Sequence, residues 1–482
     1  MVLSRARLFL ENFFAYGFIN ILNKIIPILL LPVITRMLSN PSDFGIYDMY
    51  NLIIGFGSPF VMLGMYDAMF REYFESDNKQ YKYNVTSTAN RIVLLTSVVM
   101  VLILIIFNNL FSKLFFGESQ YGNIIVFAAI SILISANSTI IAAPTRIQNK
   151  RKIYVASGLL QSILYYLGAI GLIYYGYSYF GMIYANIITS LVVILFFWYL
   201  NKNYFMLGKY DKKIAKELLK IGLPLLPTFL IYWVYNSMDK IMITNMLGTT
   251  ELGIYSIGSK LASVSLFIYT AFAGGWSYFA FSTMKDEDQV RLNSKVFEYL
   301  AAISLLSLVI IYPFIKPLFN FLFPGTYATG QVVVPYLYLS PLLLMLFQVA
   351  GNQFIVIKKS YLSSMTLSMG ALINVVLNYL LIRPLGIEGA AIATLVGYMV
   401  TVIIVCIITI KMNLLILSYR SLVASILTII FLLTCRLMFF NKFIPQMIVT
   451  IVVSGIFLIL YKNELKIIGG KLKGIRKYIV IR

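Results

Sequence analysis

Apolar residues in this chain come in long unbroken runs instead of at helical or alternating spacing. Stretches near or above 20 residues recur from end to end, each long enough to cross a hydrocarbon core of about 30 Å. The pattern predicts spanning helices at 12–34, 44–65, 88–110, 122–144, 154–175, 181–200, 222–245, 252–276, 297–318, 331–352, 361–382, 387–410, 421–440 and 445–461. The expected fold class is therefore an all-α polytopic membrane protein of about fourteen transmembrane helices, with no sequence left over for a soluble catalytic domain.

Composition agrees. Of 482 residues 60% are hydrophobic and 12% charged, and mean hydropathy is +0.86. A soluble domain has about 45–50% and 25%. The net charge of +21 sorts by topology. With the N-terminus inside, thirty of the 39 Lys and Arg fall in the inner segments, six in the outer ones, and Lys24, Lys240 and Lys260 within helices. That bias predicts cytoplasmic N- and C-termini for a chain expected in the bacterial inner membrane. No basic run is interleaved with base-stacking aromatics, so nucleic acid is not an expected partner. Cys406 and Cys435 sit in apolar stretches without ligand spacing, and histidine is absent, which removes His-based triads, metal ligands and proton switches. No metal and no cofactor are expected. The N-terminal run contains Asn20, Asn23, Lys24, Pro27 and Pro32 and lacks a small-residue cleavage site. It reads as a retained first helix and not a signal peptide.

The chain also repeats. Phe44, Gly45, Ile46, Tyr47 is answered by Leu252, Gly253, Ile254, Tyr255; Lys150 and Arg151 by Lys358 and Lys359; Gly181 by Gly389, all at a shift of 208. Six expected helices fall in each repeat, an even number, so the two should share one orientation about an axis along the membrane normal. The expected organisation is an N-terminal six-helix half (1–208), a C-terminal six-helix half (209–416), and two extra helices with a basic tail (417–482). A central cavity between such halves suits alternating access.

Charges at membrane depth carry the chemistry, because each costs about 2.5–3.5 kcal/mol unless a partner, cavity or ligand takes it up. Lys24, Lys240 and Lys260, with Asp239 as the one central carboxylate expected, predict a net positive cavity suited to an anion. Asp239 reads either as an ion-coupling residue or as a structural partner of a lysine. Arg36 ends the first helix with Asp43 and Asp48 close in sequence as expected partners. Arg146 opens the loop TRIQNKRKIY and reads either as a topology charge or as a rim that attracts phosphate. Pro27 and Pro32 in the first helix, and Pro224 and Pro227 in the seventh, remove backbone bonds. They mark either gating bends or static kinks. Thirty-five tyrosines exceed what interface belts need, and some could stack on sugar rings. The carboxylates of REYFESD and KDED lie in loops, and no phosphate or dinucleotide fingerprint occurs, so an enzyme is not expected.

Three stretches resemble the polysaccharide biosynthesis, or O-antigen flippase, family of the multidrug/oligosaccharidyl-lipid/polysaccharide superfamily. They are LPVITRMLSNPSDFGIY (31–47), IGLPLLPTFLIYWVYNSMDKIMITNMLGTTELGIYSIGSKL (221–261) and INVVLNYLLIRPLGIEGAAIATLVGY (373–398). Gly222, Pro224, Pro227, Asp239, Gly253 and Tyr255 carry the second; Asn374, Asn378, Gly386, Gly389, Ala390 and Ala391 carry the third. The resemblance implies a flippase for an oligosaccharide repeat unit on polyprenyl pyrophosphate, as in O-antigen and lipopolysaccharide biosynthesis. Its implied partners are that lipid-linked oligosaccharide, membrane lipids, H+ or Na+, and polysaccharide polymerase machinery. Family members often have twelve helices, so fourteen leaves the role of the last two open.

Three alternatives remain at this point: a drug or cation antiporter of the same superfamily, a peptidoglycan lipid-precursor flippase, and a glycan polymerase or membrane glycosyltransferase. The first would want a carboxylate where the first helix has Lys24. The last would want a larger extramembrane loop than the roughly twenty residues available.

Overall fold

The computed structural model describes residues 25–38, 40–270, 272, 276 and 286–464. These are helical almost throughout and include no strand. In order they form α1 (Ile25–Met37), α2 (Pro41–Met62), α3 (Met65–Tyr73), α4 (Lys79–Ile106), α5 (Asn108–Phe116), α6 (Gly122–Ile147), α7 (Arg151–Tyr174), α8 (Ser178–Met206) and α9 (Lys212–Gly222). There follow α10 (Leu226–Leu247), α11 (Thr249–Ala262), α12 (Gln289–Leu322), α13 (Val334–Val356), α14 (Tyr361–Lys411), α15 (Tyr419–Leu437) and α16 (Phe443–Leu460).

Eleven helices among the described residues are long and apolar enough to span a bilayer, or twelve if α2 and α3, bent by 42°, count as one. The protein is a multi-pass membrane protein. The fourteen spans expected from sequence are not counted one for one among these. The first expected span, 12–34, is described only from Ile25. And 361–411, read as two spans, is two helices of about 25 residues each that together count once where the sequence expected two. A non-helical Gly386 (φ 60°, ψ −142°) separates them.

Water-driven burial is unavailable between helices in lipid, so close approach and internal hydrogen bonds hold the bundle together. The tightest crossing joins α2 to α11. A Cβ on Gly45 would lie 2.0 Å from the Thr249 carbonyl oxygen, and one on Gly253 would lie 1.9 Å from that of Pro41. These contacts are one contact seen twice, because 45 and 41 become 253 and 249 at the 208-residue shift. Asp48 and Ser256, also 208 apart, touch each other: Ser256 Oγ donates to Asp48 Oδ2 at 2.7 Å. Positions 208 residues apart thus meet across this crossing, Gly45 beside Gly253 and Asp48 against Ser256.

At the far end of α2 the chain turns through Leu63 and Gly64, both left-handed (φ 45° and 68°). Gly64 packs on the Gly222 backbone, where a Cβ would come within 2.5 Å of the carbonyl oxygen. Gly222 closes α9, an amphipathic helix with Ile214, Ala215 and Leu218 buried and Lys212, Lys213, Lys216 and Lys220 exposed. Asp211 caps it by accepting from the Lys213 amide at 2.8 Å.

The last two helices pack on α12. Arg436 of α15 donates to both carboxylate oxygens of Glu388 in α14, each at 2.5 Å. Past the final span, Glu464 is held below the ordinary carboxyl range by a backbone hydrogen bond and by Arg420, whose Nη1 lies 2.7 Å away.

Alanine at Gly45 or Gly253 must push α2 and α11 apart. Each is expected to cost about 1–3 kcal/mol as overpacking, read as a lowered melting temperature of the purified protein. Alanine at Gly455, which has open space around it, should leave the melting temperature unchanged or raise it.

Candidate functional site

Where α2, α10 and α11 meet, the described structure gathers charge at membrane depth. Lys240 of α10 reaches across to Asp48 of α2, Nζ donating to Oδ2 at 2.7 Å. Asp48 is 4% exposed, so the pair is desolvated and its three partners are the lysine, Ser256 and the electrostatic pull of Lys260. Lys240 does not pair with Asp239 through its ammonium, as its position in the sequence suggested. α-Helical geometry points neighbouring residues about 100° apart, and only the Lys240 backbone N–H reaches Asp239, at 2.8 Å.

Lys260, four residues past Ser256 and so on the same face of α11, opens onto a cavity of about 210 Å³. Pro27, Ile28 and Leu31 of α1 form its opposite wall, with Phe323. The ammonium and one of the two α1 prolines thus share a site. Pro32 lies a turn further on, where its carbonyl accepts from Thr35 Oγ1 at 3.1 Å and Arg36 Nη1 at 3.3 Å. Lys24 lies outside the described residues.

Asp239 belongs to a different network. Tyr255 donates to it, and Tyr255 also contacts Thr394. Thr394 Oγ1 accepts from Asn374 Nδ2, and Asn374 Oδ1 from Asn378 Nδ2, both at 3.2 Å. Asn374 and Asn378 are fully buried, yet Asn378 Oδ1 has no hydrogen-bond partner. A buried carboxylate joined to an orphaned amide oxygen is a set of hard oxygen ligands of the kind a small cation or proton relay uses.

Arg146, at the opposite end of α6 from Gly122, borders a cavity of about 430 Å³ between α6, α7 and α8. Its Nη1 donates to Tyr66 Oη at 2.6 Å, and the rings of Tyr66, Phe70 and Tyr154 lie 5.8–5.9 Å from its Cζ. A neighbouring cavity of about 350 Å³ shares Tyr66 and Thr139 with it and is lined also by Phe229 of α10.

The remaining expected site residues are placed differently from their sequence neighbours. Arg36 does not meet Asp43 or Asp48: its Nη2 donates to the Phe321 carbonyl at 3.0 Å, while Asp43 accepts from Ser178 at 2.6 Å. Separation of α1 from α2 at Asn40–Pro41 points Asp43 and Asp48 toward other helices. Pro224 lies in a 3-10 turn between α9 and α10. Pro227 sits in the first turn of α10, where a missing N–H leaves nothing unsatisfied.

Sequence reasoning missed Asp48 as a central residue, having given it to Arg36. The repeat held the signal, since Asp48 aligns with Ser256 one turn below the glycine crossing. It also missed the polar face of α6, whose Ser135, Ser138 and Thr139 are signalled by helical spacing to Arg146.

Several solved structures share this fold. The lipid II flippase MurJ, in an inward closed conformation, is 16% identical with a TM-score of 0.72, over 93% of this chain and 99% of that one. An inward-facing multidrug resistance transporter of the MATE family and MOP superfamily is 15% identical, with a TM-score of 0.58 over 81% and 94%. A MOP superfamily transporter from Pyrococcus furiosus, whose binding pocket is described as having reverse polarity, is 15% identical, with a TM-score of 0.58 over 84% and 95%. The fold is shared with these transporters. A family model for polysaccharide biosynthesis proteins matches residues 33–321, more than half the chain, and the chain belongs to that family. No curated protein matches the sequence.

Asp48→Asn should strand the Lys240 ammonium in a desolvated site, a loss of about 3–5 kcal/mol for breaking a buried pair from one side. Asp48→Asn with Lys240→Met should recover most of the melting temperature. Equal melting of the single and double variants would show that the pair does not hold α2 to α10.

Proposed function

We propose that this protein is a flippase that moves a polyprenyl-pyrophosphate-linked oligosaccharide from the inner to the outer leaflet of the bacterial cytoplasmic membrane. Halves 1–208 and 209–416 rock about the α2–α11 crossing, with both termini cytoplasmic and 417–482 as an accessory pair of helices and tail. The observation that carries this reading is Lys260, a membrane-depth ammonium open to a cavity while its neighbour Lys240 is already taken by Asp48. Such a charge calls for an anionic ligand. A pyrophosphate supplies one, and an amine at about 4 Å from it is worth roughly 4 kcal/mol at an effective dielectric of 20. Membership of a polysaccharide biosynthesis family supports the glycan, O-antigen or another surface polysaccharide, on the lipid.

The same chemistry would serve a peptidoglycan lipid precursor. Likeness to MurJ over 93% of the chain favours keeping that second reading. A drug or cation antiporter is favoured less, because the ammonium at this cavity repels a cationic cargo. In the flippase reading the Asp239–Tyr255–Thr394–Asn374–Asn378 network carries the coupling H+ or Na+. Pro27, on the Lys260 cavity wall, and Pro32 let α1 bend as the cavity opens; Pro224 and Pro227 mark the matching joint before α10. Substrate passes on to polysaccharide polymerase machinery. The protein itself forms no covalent bond to substrate and is not an enzyme.

In this account Lys260→Ala slows movement of the lipid-linked oligosaccharide in proteoliposomes by at least about tenfold. The amount of protein inserted should not change. Asp239→Asn should abolish the response to an imposed ion gradient while slow downhill movement persists. Wild-type rates in Lys260→Ala would contradict the cationic-cavity reading.

A further inference from the structure

The cavity beside Arg146 differs in kind from the site at Lys260. Its wall on α6 runs from Ser135 through Ser138 and Thr139 to Arg146, positions on one helical face that span about 16 Å at 1.5 Å per residue. Gln161 of α7 and Ser190 of α8 face it. A volume of about 430 Å³ falls within the range of about 300–1,000 Å³ for small-molecule sites.

The hydrogen bonds define what this wall can accept. Ser135 Oγ donates to the Ile132 carbonyl at 3.3 Å, Thr139 Oγ1 to that of Ser135 at 2.9 Å, and Ser157 Oγ to that of Tyr154 at 2.9 Å. With their protons committed to the backbone, these hydroxyls offer lone pairs to the cavity. The wall therefore suits a ligand rich in O–H donors, and the Arg146 end, with a guanidinium held among aromatic rings, suits an anion. Tyr66 and Tyr154 supply ring faces of the kind that stack on sugars.

Nothing in the repeat requires these side chains. At the 208-residue shift Ser135, Ser138, Thr139 and Arg146 are answered by Leu343, Leu346, Phe347 and Phe354, all buried. At these four positions polarity is confined to one copy of the repeat, as a binding site would be and a packing requirement would not.

We propose that this cavity is a saccharide-phosphate subsite, in which Arg146 holds a phosphate oxygen and the α6 hydroxyls accept from the hydroxyls of the attached sugar. The proposal rests on the flippase reading and deepens it by naming where the sugar nearest the phosphate is gripped. The shared chemistry has two sources, a lipid-linked headgroup and a soluble sugar phosphate.

Binding of glucose 1-phosphate, glucose and inorganic phosphate to the purified full-length protein tests it, using thermophoresis. Wild type should bind glucose 1-phosphate at least about tenfold more tightly than either part alone. Arg146→Gln should reduce glucose 1-phosphate to the affinity of glucose, and Arg146→Lys should recover part of the loss. Ser135→Leu with Ser138→Leu, which installs the apolar residues of the other repeat, should weaken both sugars about tenfold. Equal affinities in wild type and in these variants, all with wild-type melting temperatures, overturn the subsite.

The same variants in proteoliposomes separate the sources. Slowed movement of lipid-linked oligosaccharide supports the lipid headgroup as ligand. Movement by wild type at rates the variants match refutes the subsite and leaves the flippase reading standing. Tight glucose 1-phosphate binding with no lipid movement by wild type refutes the flippase reading and assigns the cavity to a soluble sugar phosphate.

Discussion

A charge inside a bilayer must be answered, and in this molecule the answer at the α2–α11 crossing organises everything near it. Asp48 of α2 meets Lys240 from α10 and Ser256 from α11. Gly45 and Gly253, a turn away, let the two backbones approach closely enough for that meeting. One ion pair and one pair of glycines together join helices from both repeats. Because Lys240 is satisfied there, Lys260 becomes the charge that faces open space. The balance is local: Lys240 and Lys260 stand near two buried carboxylates, Asp48 and Asp239, and Lys260 lines the cavity.

The polar features fall into three places with separate chemistry. Lys260 and Pro27 line one cavity, Asp239 and the buried asparagines form an oxygen-rich network in α10, α11 and α14, and Arg146 ends an acceptor-lined cavity in α6 to α8. In the proposed reading Lys260 and Arg146 each meet a phosphate of the lipid, the α6 hydroxyls meet its sugar, and the Asp239 network takes the coupling ion. Outside these places much of the exposed surface of the spans is apolar, aliphatic along Leu95, Leu102 and Ile106 of α4 and aromatic at Phe196, Trp198 and Tyr199 of α8, which suits lipid contact.

Much of this was legible in the sequence. Apolar runs set the order of most spans, and positions related by the 208-residue shift, Gly45 with Gly253 and Asp48 with Ser256, meet at the α2–α11 crossing, a contact the shift alone did not announce. What escaped was partner choice. Asp48 was assigned to Arg36 by nearness in sequence, but the turn at Asn40–Pro41 separates their helices and the true partner, Lys240, is 192 residues away. Lys240 and Asp239 are adjacent in sequence and for that reason face different neighbours on a helix. The polar wall of α6 was hidden because Ser and Thr are routine in membrane helices, where their hydroxyls bond back to the helix. Only the cavity in front of them, and the apolar residues at the matching positions of the other repeat, set them apart.

Leaflet-resolved detection of polyprenyl-pyrophosphate-linked oligosaccharide in proteoliposomes, with and without the protein and under an imposed H+ or Na+ gradient, tests the central claim most directly. The account predicts protein-dependent movement to the opposite leaflet that responds to one of the two ions. Lipid that stays in place while a cationic dye is moved instead would contradict it.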